Sequence, residues 1–259
     1  MAGAVVSGET ARRNHGRGHS YLLDGDKVDG VTTLINKGFP KSGLINWAAG
    51  TVAAKAVDEW DELALLPVSE RLKTLEKAHN VVRDSAGLRG TRVHTLAHKL
   101  VHGEKVDVPV ELAGHVAACV RFLDEWDAEP LLTERPVFSR AHSYAGSPDL
   151  VAQLRDGRTW LLDWKTNSKG PRGDMAFQLA AYRHAEFCLD DDGDEVDMPE
   201  TDEGGVVWLR ADGYDLVPVD SGPEVFREFL YIAEVARAAG RCRDYLGEPL
   251  LPEIEMSSR

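Results

Sequence analysis

The segment between residues 146 and 165, GSPDLVAQLRDGRTWLLDWK, constrains the fold of this chain more than any other. Two short apolar runs flank Arg155-Asp156-Gly157, and this pattern predicts an antiparallel hairpin. Asp149 lies at the start of the first run, and Asp163 and Lys165 lie near the end of the second. Because side chains alternate between the two faces of a strand, Asp163 and Lys165 share one face.

The length of the hairpin loop decides whether Asp149 joins that face. A two-residue turn would set Leu150 against Asp163 and would place Asp149 on the opposite face. A three-residue loop instead pairs Asp149 with Asp163 and leaves apolar residues opposite one another. The hydrophobic pattern therefore predicts the loop 155–157, with Gly157 at positive φ in a bulge. In this register one face of the hairpin is apolar and points into the core. The residues on that face are Leu150, Ala152, Trp160 and Leu162.

Paired carboxylates indicate a particular chemistry. Two carboxylates at cross-strand distance repel each other unless they share a proton or a cation. A hard divalent cation such as Mg²⁺ or Mn²⁺ is the natural occupant, since it prefers oxygen ligands. Lys165 beside them is suited to hold a water or to neutralise charge on a phosphate. The pattern favours phosphodiester hydrolysis, and the alternative is a surface hairpin with incidental charges.

Composition limits the class of protein. The chain has 259 residues, of which 43% are hydrophobic and 28% charged, so a folded core is expected. The sequence contains no apolar run long enough to span a membrane, and its N-terminus has no signal core, so a cytoplasmic location is expected. Three scattered cysteines argue against a disulfide framework, a structural zinc site and an iron–sulfur cluster. They are Cys119, Cys188 and Cys242.

Patterning predicts an α/β fold, with a mixed sheet core flanked by helices behind a helical N-terminal half. Residues 1–20 are expected to form a flexible tail, and 247–259 a C-terminal tail. Between them, 21–128 is expected to hold a hairpin and helices, and 129–246 the α/β core. The chain is expected to form one structural domain overall. The predicted strands are a hairpin within 21–35 and segments 131–140, 146–154, 158–165, 205–211 and 214–220. The predicted helices are one capped by Ser42, segments 68–84, 88–102, 109–128 and 172–189, and a last one capped by Ser221 and Glu224.

Charge is unevenly distributed. The net charge is −13, but nine acidic residues and no basic residue lie within 190–204. We expect this segment to be a solvated loop insertion, and mimicry of DNA is the alternative. Outside it the chain is nearly neutral, so bulk charge neither supports nor excludes a nucleic-acid partner.

Further motifs surround the hairpin in a recognisable order. Gly90-Thr91-Arg92-Val93-His94 precedes it, and Glu134 lies on the strand before Asp149. Asp163-Trp164-Lys165-Thr166 ends it, and Gln178-Leu179-Ala180-Ala181-Tyr182 lies on the following helix. From about residue 87 to 210, the chain resembles the PD-(D/E)XK nucleases, in particular their RecB-like exonuclease branch.

The resemblance implies a restriction-endonuclease-like core and a Mg²⁺- or Mn²⁺-dependent active site. His94, Asp149, Asp163 and the carbonyl of Trp164 would bind the cation, and Lys165 would be catalytic. Glu134 would be a second metal ligand, a residue that orients Lys165, or a surface partner of Arg135. The cysteine pattern of the iron–sulfur members is missing here, so no cluster is expected.

The resemblance also implies a DNA path along the helix that follows the hairpin. Gln178 would orient Lys165 or a phosphate, and Tyr182 would stack on or bond to DNA. The alternative is that these two residues form a pair at the edge of the core. Lys169 and Arg183 are further candidate phosphate contacts.

Three histidines leave a second metal hypothesis open. His94, His98 and His102 recur every four residues and so line one helix face. Zinc could use two of them, but the glutamate of an HExxH motif is replaced by Thr95. We therefore predict that His94 alone binds metal and that the other two are solvated.

The residues and the resemblance together predict a DNA nuclease. The resemblance implies an exonuclease of phage or bacterial recombination or repair, with a strand-annealing recombination protein as a candidate partner. The alternatives are a structure-specific endonuclease or junction resolvase, and a catalytically silent DNA-binding module of the same fold.

Overall fold

A computed structural model describes residues 9–16 and 18–250 of the chain. The fold is α/β, with two mixed β-sheets and flanking helices. The predicted tail segments 1–8 and 251–259 lie outside the described residues.

Twelve strands form the two sheets of the described residues. In chain order they are β1 (Ala11–His15), β2 (Gly18–Leu23), β3 (Asp26–Gly30), β4 (Glu129–Thr133), β5 (Val137–Ser139), β6 (Tyr144–Gly146), β7 (Leu150–Gln153), β8 (Thr159–Lys165), β9 (Phe187–Leu189), β10 (Glu195–Asp197), β11 (Glu203–Leu209) and β12 (Tyr214–Pro218).

Seven α-helices cover the sheets in the same part of the chain. They are α1 (Val31–Gly38), α2 (Ser42–Asp58), α3 (Trp60–Ala64), α4 (Val68–Val101), α5 (Ala113–Glu125), α6 (Met175–Arg183) and α7 (Pro223–Arg241). Short 3-10 turns lie at Val110–Leu112 and Cys242–Tyr245. None of the helices in the described residues has an apolar stretch long enough to cross a bilayer.

The five-stranded sheet positions the candidate site. Its strand order is β12-β11-β8-β7-β4, with β11 parallel to β8 and the other pairs antiparallel. Every residue of β8 from Trp160 to Trp164 is buried. A strand with such a continuous buried run needs cover on both faces of its sheet.

The two faces pack against different helices. Leu150, Leu162 and Trp164 join an apolar cluster with Val93 of α4 and residues of α5. On the other face, the cluster is built from α1, α6, α7 and sheet residues. Its sheet residues include Val151, Leu161 and Val206. The side chains of Asp163 and Lys165 therefore lie on the α6 face of β8.

The second sheet joins the N-terminal hairpin to the rest of the fold. Its order is β1-β2-β3-β6-β5-β9-β10, and β3 pairs in parallel with β6. The turn Asp24-Gly25 has φ values of 52° and 90°, as a tight hairpin turn requires. The prediction of a hairpin at this turn is therefore confirmed, although the chain becomes helical at Val31.

The predicted flexible tail is wrong where the structure describes it. Residues 11–15 form β1 and pair with β2, from Ala11 opposite Leu22 to His15 opposite Gly18. The β1 sequence, ARRNH, is polar because the strand lies at the sheet edge and is half to fully exposed. Without an apolar alternation, the sequence pattern gives no strand signal there.

The register predicted for the central hairpin is confirmed. Leu150 lies opposite Leu162, and Ala152 lies opposite Trp160. The Leu154 N–H donates to the Arg158 carbonyl at 3.0 Å, which closes a three-residue loop. Gly157 has φ +79°. The four apolar residues are buried together on the α5 side of the sheet, as the pattern predicted.

A pair of glycine substitutions tests this loop. A Cβ at Gly157 would meet no atom within 4 Å, so Gly157→Ala adds only the backbone strain of positive φ. We expect it to lower the free energy of unfolding by about 1 kcal/mol. Gly50→Ala, also in open space but within α2, should raise it by about 0.5 to 1 kcal/mol. Urea unfolding measures both, and a stabilising Gly157→Ala would contradict the left-handed loop.

Two predicted helices are one. Segments 68–84 and 88–102 form the single helix α4, which continues through Gly87 and Gly90. Glycine weakens a helix but does not end it when packing holds the next turn. Here the C-terminal half is held by Val93 and Ala97, which are buried. The segment 109–128 begins as a 3-10 turn, and its α-helix covers 113–125.

Two predicted strands are each divided. Segment 131–140 breaks between β4 and β5, where Glu134 has φ +48° and Pro136 follows. Segment 146–154 breaks between β6 and β7, at Ser147-Pro148-Asp149. Proline has no N–H to pair with a neighbouring strand, and each break contains a proline, Pro136 or Pro148. These breaks release Glu134 and Asp149 from regular pairing.

The segment after β8 also differs from the prediction. The helix predicted for 172–189 covers only 175–183, and its last part forms β9. Part of the acidic segment 190–204 is ordered, because Glu195–Asp197 pairs with β9 and β11 begins at Glu203. Most of the segment is exposed, as expected for a solvated insertion, and 195–197 form the second strand of a hairpin with β9.

The predicted capping residues do not act as caps. Ser42 is the first residue of α2, whose N-cap is Lys41. Ser221 is buried, and its hydroxyl accepts a hydrogen bond from Arg183 at 3.3 Å. Instead, Asp220 accepts the Gly222 N–H at 2.9 Å, and Pro223 opens α7. Proline at the first position suits a helix start because its missing N–H would be unpaired there.

Candidate metal and phosphate site

The candidate site lies where β7 begins, β4 ends and β8 ends. Asp149 precedes β7, and its Oδ2 accepts the Trp164 backbone N–H at 2.8 Å. His94 reaches it from α4, with Nδ1 at 3.3 Å from Asp149 Oδ1. Both carboxylate oxygens of Asp149 are therefore engaged, one by the strand and one by the helix. The Gly-Thr-x-x-His segment and the hairpin meet at this carboxylate.

Glu134 joins the pair through an unusual backbone conformation. Its φ of +48° is rare for a residue with a Cβ. The Glu134 N–H lies 3.4 Å from the Asp149 carbonyl, so the end of β4 is tied to the start of β7. Ligand atoms of His94, Glu134 and Asp149 all lie within 4.8 Å of one another. The left-handed turn thus aims the Glu134 carboxylate at the other two side chains.

These three side chains fit a divalent cation. Ligand atoms bound to one cation at about 2.0 to 2.6 Å are at most about 5 Å apart. The observed limit of 4.8 Å meets that condition. One imidazole and two carboxylates form a donor set that suits Mn²⁺ and also accepts Mg²⁺.

The ligand group differs from the predicted set. We predicted His94, Asp149, Asp163 and the Trp164 carbonyl, with Glu134 as a second metal ligand, a residue that orients Lys165 or a surface partner of Arg135. Among the described residues, the group within 4.8 Å contains Glu134 and not Asp163. The sequence signal for Glu134 is the break Glu134-Arg135-Pro136 directly after a strand, which frees the acidic side chain from pairing.

Asp163 has its own contacts on the neighbouring face. Its carboxylate is 3% exposed and forms an ion pair with Lys165, two residues further along β8. The other oxygen, Oδ1, accepts a hydrogen bond from Gln178 Nε2 at 2.7 Å. The predicted sharing of one face by Asp163 and Lys165 is confirmed, and α6 covers that face. Gln178 thereby fixes the carboxylate that holds Lys165.

The Trp164 backbone also borders the site. In an extended strand, the N–H and C=O of one residue point to the same side. Since the Trp164 N–H points to Asp149, its carbonyl is directed to the same edge of β8. The Trp164 indole packs away from the site, 5.6 Å from the Phe122 ring centroid and edge-to-face with it. This geometry directs the carbonyl to the side of β8 on which Asp149 lies.

Burial and neighbouring charges act against each other on the ionisable groups of the site. Burial alone would lower the pKa of His94, but the charge and hydrogen bond of Asp149 outweigh it, and the pKa rises to about 9. Burial raises the pKa of Asp163, and the charge of Lys165 offsets this only in part. Burial likewise acts to raise the pKa of Asp149, but the charge of His94 dominates and lowers it.

The same balance applies to the lysine. Burial would lower the pKa of Lys165, but the charges of Asp163 and Asp149 raise it above its ordinary value. An imidazolium and an ammonium thus compensate two carboxylates. Metal binding requires a neutral imidazole, so a cation that binds His94 would displace its proton.

Tyr182 does not lie on an exposed path. Its side chain is 4% exposed, and its hydroxyl receives a hydrogen bond from Gln178 Nε2 at 3.4 Å. The ring packs against Gly146, where a Cβ would be 2.3 Å from Tyr182 Cε1. The burial does not support the predicted stacking on or bonding to DNA, and the alternative of a pair at the core edge fits. The Tyr182 hydroxyl thus helps to fix the Gln178 side chain through this hydrogen bond.

Gly146→Ala tests the position of this ring. The added Cβ would displace a fully buried Tyr182, and we expect the free energy of unfolding to fall by about 1 to 3 kcal/mol. Gly173→Ala is the control, because its Cβ would meet nothing within 4 Å, and it should change stability by less than about 0.5 kcal/mol. Equal effects in urea unfolding would contradict the packing of Tyr182 on Gly146.

The two predicted phosphate contacts have different surroundings. Arg183 is half-buried and donates hydrogen bonds to the Thr201 and Asp202 carbonyls, at 2.6 and 3.0 Å, as well as to Ser221. Its guanidinium ties α6 to the loop before β11, so a role in phosphate binding is not supported. Lys169 is exposed in the loop between β8 and α6 and remains a candidate.

The next two histidines along the chain, His98 in α4 and His102 directly after it, have different surroundings. His102 Nε2 lies 2.9 Å from Thr133 Oγ1, at the end of β4. His98 and His102 have ring centroids 4.8 Å apart in an edge-to-face arrangement. In the part of the chain that the structure describes, the ligand group includes His94 alone of the three. This arrangement favours the carboxylate site over zinc on the helix face.

Comparisons with known proteins add little to this geometry. No protein-family model matches the chain, and no curated protein matches it. A solved structure titled "Crystal structure of SSO0001" is similar at 13% sequence identity, over 85% of this chain and 76% of that chain. The TM-score is 0.30, and a likeness this low carries no argument about fold or function.

Proposed function

We propose that the protein is a Mg²⁺- or Mn²⁺-dependent deoxyribonuclease that hydrolyses phosphodiester bonds, acting as an exonuclease in phage or bacterial recombination or repair. One observation carries the proposal. His94, Glu134 and Asp149 bring three ligand atoms within 4.8 Å of one another, next to the Asp163–Lys165 pair on β8. The motif resemblance to RecB-like nucleases supports DNA as the substrate and an exonuclease as the class.

Each half of the site has a separate task in this proposal. His94, Glu134 and Asp149 would hold the cation, with the Trp164 carbonyl as a further predicted ligand, while Asp163 holds Lys165. When bound, the cation would supply Lewis-acid activation of water and of the phosphate. The Trp164 N–H keeps Asp149 oriented through the 2.8 Å hydrogen bond.

Lys165 would act on the reacting phosphate. An ammonium has three N–H donors, and the ion pair with Asp163 leaves donors free to bind a phosphate oxygen or to hold water. Such a donor, fixed before the reaction, stabilises the charge that develops in the transition state. Gln178 holds Asp163 and so keeps Lys165 in place. Strand β8 fixes the backbone of Lys165, and helix α6 fixes that of Gln178.

Cleavage of end-labelled DNA tests the proposal. Linear duplex and covalently closed circular DNA would be incubated with the full chain and Mg²⁺, Mn²⁺ or EDTA. We expect loss of the linear DNA in the presence of either cation, no loss in EDTA, and intact circles.

The remaining outcomes separate the alternatives. Nicking of the circles would make the protein an endonuclease or a junction resolvase on the same site. Binding of DNA without any cleavage would indicate the silent module, and the proposed catalytic function would then be wrong.

A further inference from the structure

A cavity of about 210 Å³ adjoins the Lys165 side of the candidate site. Lys165 and Gln178 form one wall, so the cavity and the proposed cleavage site share two residues. Helix α1 and the start of α2 supply a second wall, and the start of α6 supplies a third. The polar residues that line it are Thr32, Asn36, Lys41, Lys165, Arg172, Asp174 and Gln178.

The charge of this cavity favours an anion. Its charged lining residues are Lys41, Lys165 and Arg172, which are cationic, and Asp174, which is the single acid. The loop after β8 and the residue before α2 therefore bring two further cations, Arg172 and Lys41, close to the catalytic lysine. A net positive, partly enclosed space concentrates phosphate groups.

The two additional cations keep free donors. Lys41 Nζ donates to Asn36 Oδ1, a neutral acceptor that leaves its charge uncompensated. Arg172 contacts Asp174 with Nε at 3.1 Å and with one terminal nitrogen at 3.2 Å. A guanidinium has five N–H donors, so this contact leaves three for another ligand. The Arg172 side chain is 55% exposed and can reach a phosphate that enters the cavity.

The lining indicates a phosphate instead of a base. None of the described residues that line the cavity is aromatic, whereas single-stranded bases are usually held by stacking on aromatic side chains. Ammonium and guanidinium groups are the usual ligands of phosphate oxygens. The apolar lining residues are Ile35 and Met175, and neither has a ring on which a base could stack.

We propose that this cavity binds the DNA phosphate next to the scissile one, with Lys41 and Arg172 as positioning residues. The inference rests on the proposed nuclease function. A phosphate held by Lys41 and Arg172 would set the register of the strand, and so would present the adjoining phosphodiester to Lys165. The phosphate is either an internal diester or the terminal monoester of a DNA end, since both offer the same oxygens.

Kinetics with charge-neutralising variants test the inference. Lys41→Gln and Arg172→Gln keep side-chain length and remove the charge. Each should raise KM for DNA about 10-fold and change kcat less than about 3-fold, as expected for lost binding that acts equally on ground and transition states. Lys41→Arg and Arg172→Lys should recover most of the affinity. Lys27→Gln and Arg227→Gln are matched controls outside the cavity and should behave as wild type.

A second readout is the binding constant K of a single-stranded oligonucleotide, measured in EDTA without cleavage. Its logarithm decreases with the logarithm of the salt concentration, and the steepness of this decrease should be smaller by about 0.7 in each of the two variants. Substrates with a 5′-phosphate or a 5′-hydroxyl distinguish the two sources. A variant effect confined to the phosphorylated substrate assigns the terminal monoester, and an effect on both assigns the internal diester.

The contradicting results are distinct from failure of the nuclease proposal. If wild-type protein cleaves DNA but the two variants match their controls in KM and in salt slope, the cavity has no phosphate role. A loss of kcat with unchanged KM would also overturn it. If wild-type protein neither binds nor cleaves DNA, the proposed function fails and this inference fails with it.

Discussion

Asp163→Asn should lower DNA cleavage by about 1,000-fold or more at saturating Mn²⁺. The neutral amide cannot pair with Lys165, so the ammonium loses the partner that fixes its position beside the reacting phosphate. The Gln178 hydrogen bond to Oδ1 would remain possible, which keeps the change local. Losses of this size follow the removal of one group that acts in a transition state.

Asp107→Asn is the control for this variant, because Asp107 is exposed and outside the ligand group. It should leave kcat within about 2-fold of wild type. Circular dichroism and urea unfolding would show that both variants are folded. Near wild-type activity of folded Asp163→Asn would mean that the Asp163–Lys165 pair takes no part in the chemistry.

His94→Ala should lower metal-supported cleavage by about 100-fold or more, while His98→Ala and His102→Ala should be mild. Only His94 faces Asp149, at 3.3 Å, and belongs to the ligand group with Glu134. Losing one of few protein ligands weakens cation binding, and excess Mn²⁺ should therefore restore part of the activity. Initial rates as a function of Mn²⁺ concentration measure both effects.

His98, on the same helix, and His102, directly after it, supply controls close to His94. His102 contacts Thr133, so its replacement removes a packing contact but no ligand. Equal losses for all three variants would instead favour zinc on the helix face. Elemental analysis of the purified protein would then have to find bound zinc.

The hairpin could be predicted because its information is local. The alternation of side chains along a strand fixes which residues share a face. The apolar pairs Leu150–Leu162 and Ala152–Trp160 then select one register. Gly157 at φ +79° follows from the loop length that this register requires. The shared face of Asp163 and Lys165 follows from strand alternation alone.

Other features depend on tertiary contacts that no local pattern records. Glu134 reaches the ligand group only because its backbone turns left-handed beside Asp149. Tyr182 is buried because Gly146 leaves room for its ring, although the two are far apart in sequence. The helical path through Gly87 and Gly90 likewise depends on packing of the next turns. The sequence pattern assigned these residues to helices and strands, but it could not predict how those helices and strands pack against one another.

Anomalous X-ray scattering from crystals of the full chain soaked in Mn²⁺ tests the central claim most directly. We expect one strong manganese peak about 2.0 to 2.6 Å from a ring nitrogen of His94 and from carboxylate oxygens of Glu134 and Asp149. The same soak of Asp149→Asn crystals should give a much weaker peak. A peak at another place in the chain, or no peak at a saturating concentration, would contradict the assignment of these residues as the metal site.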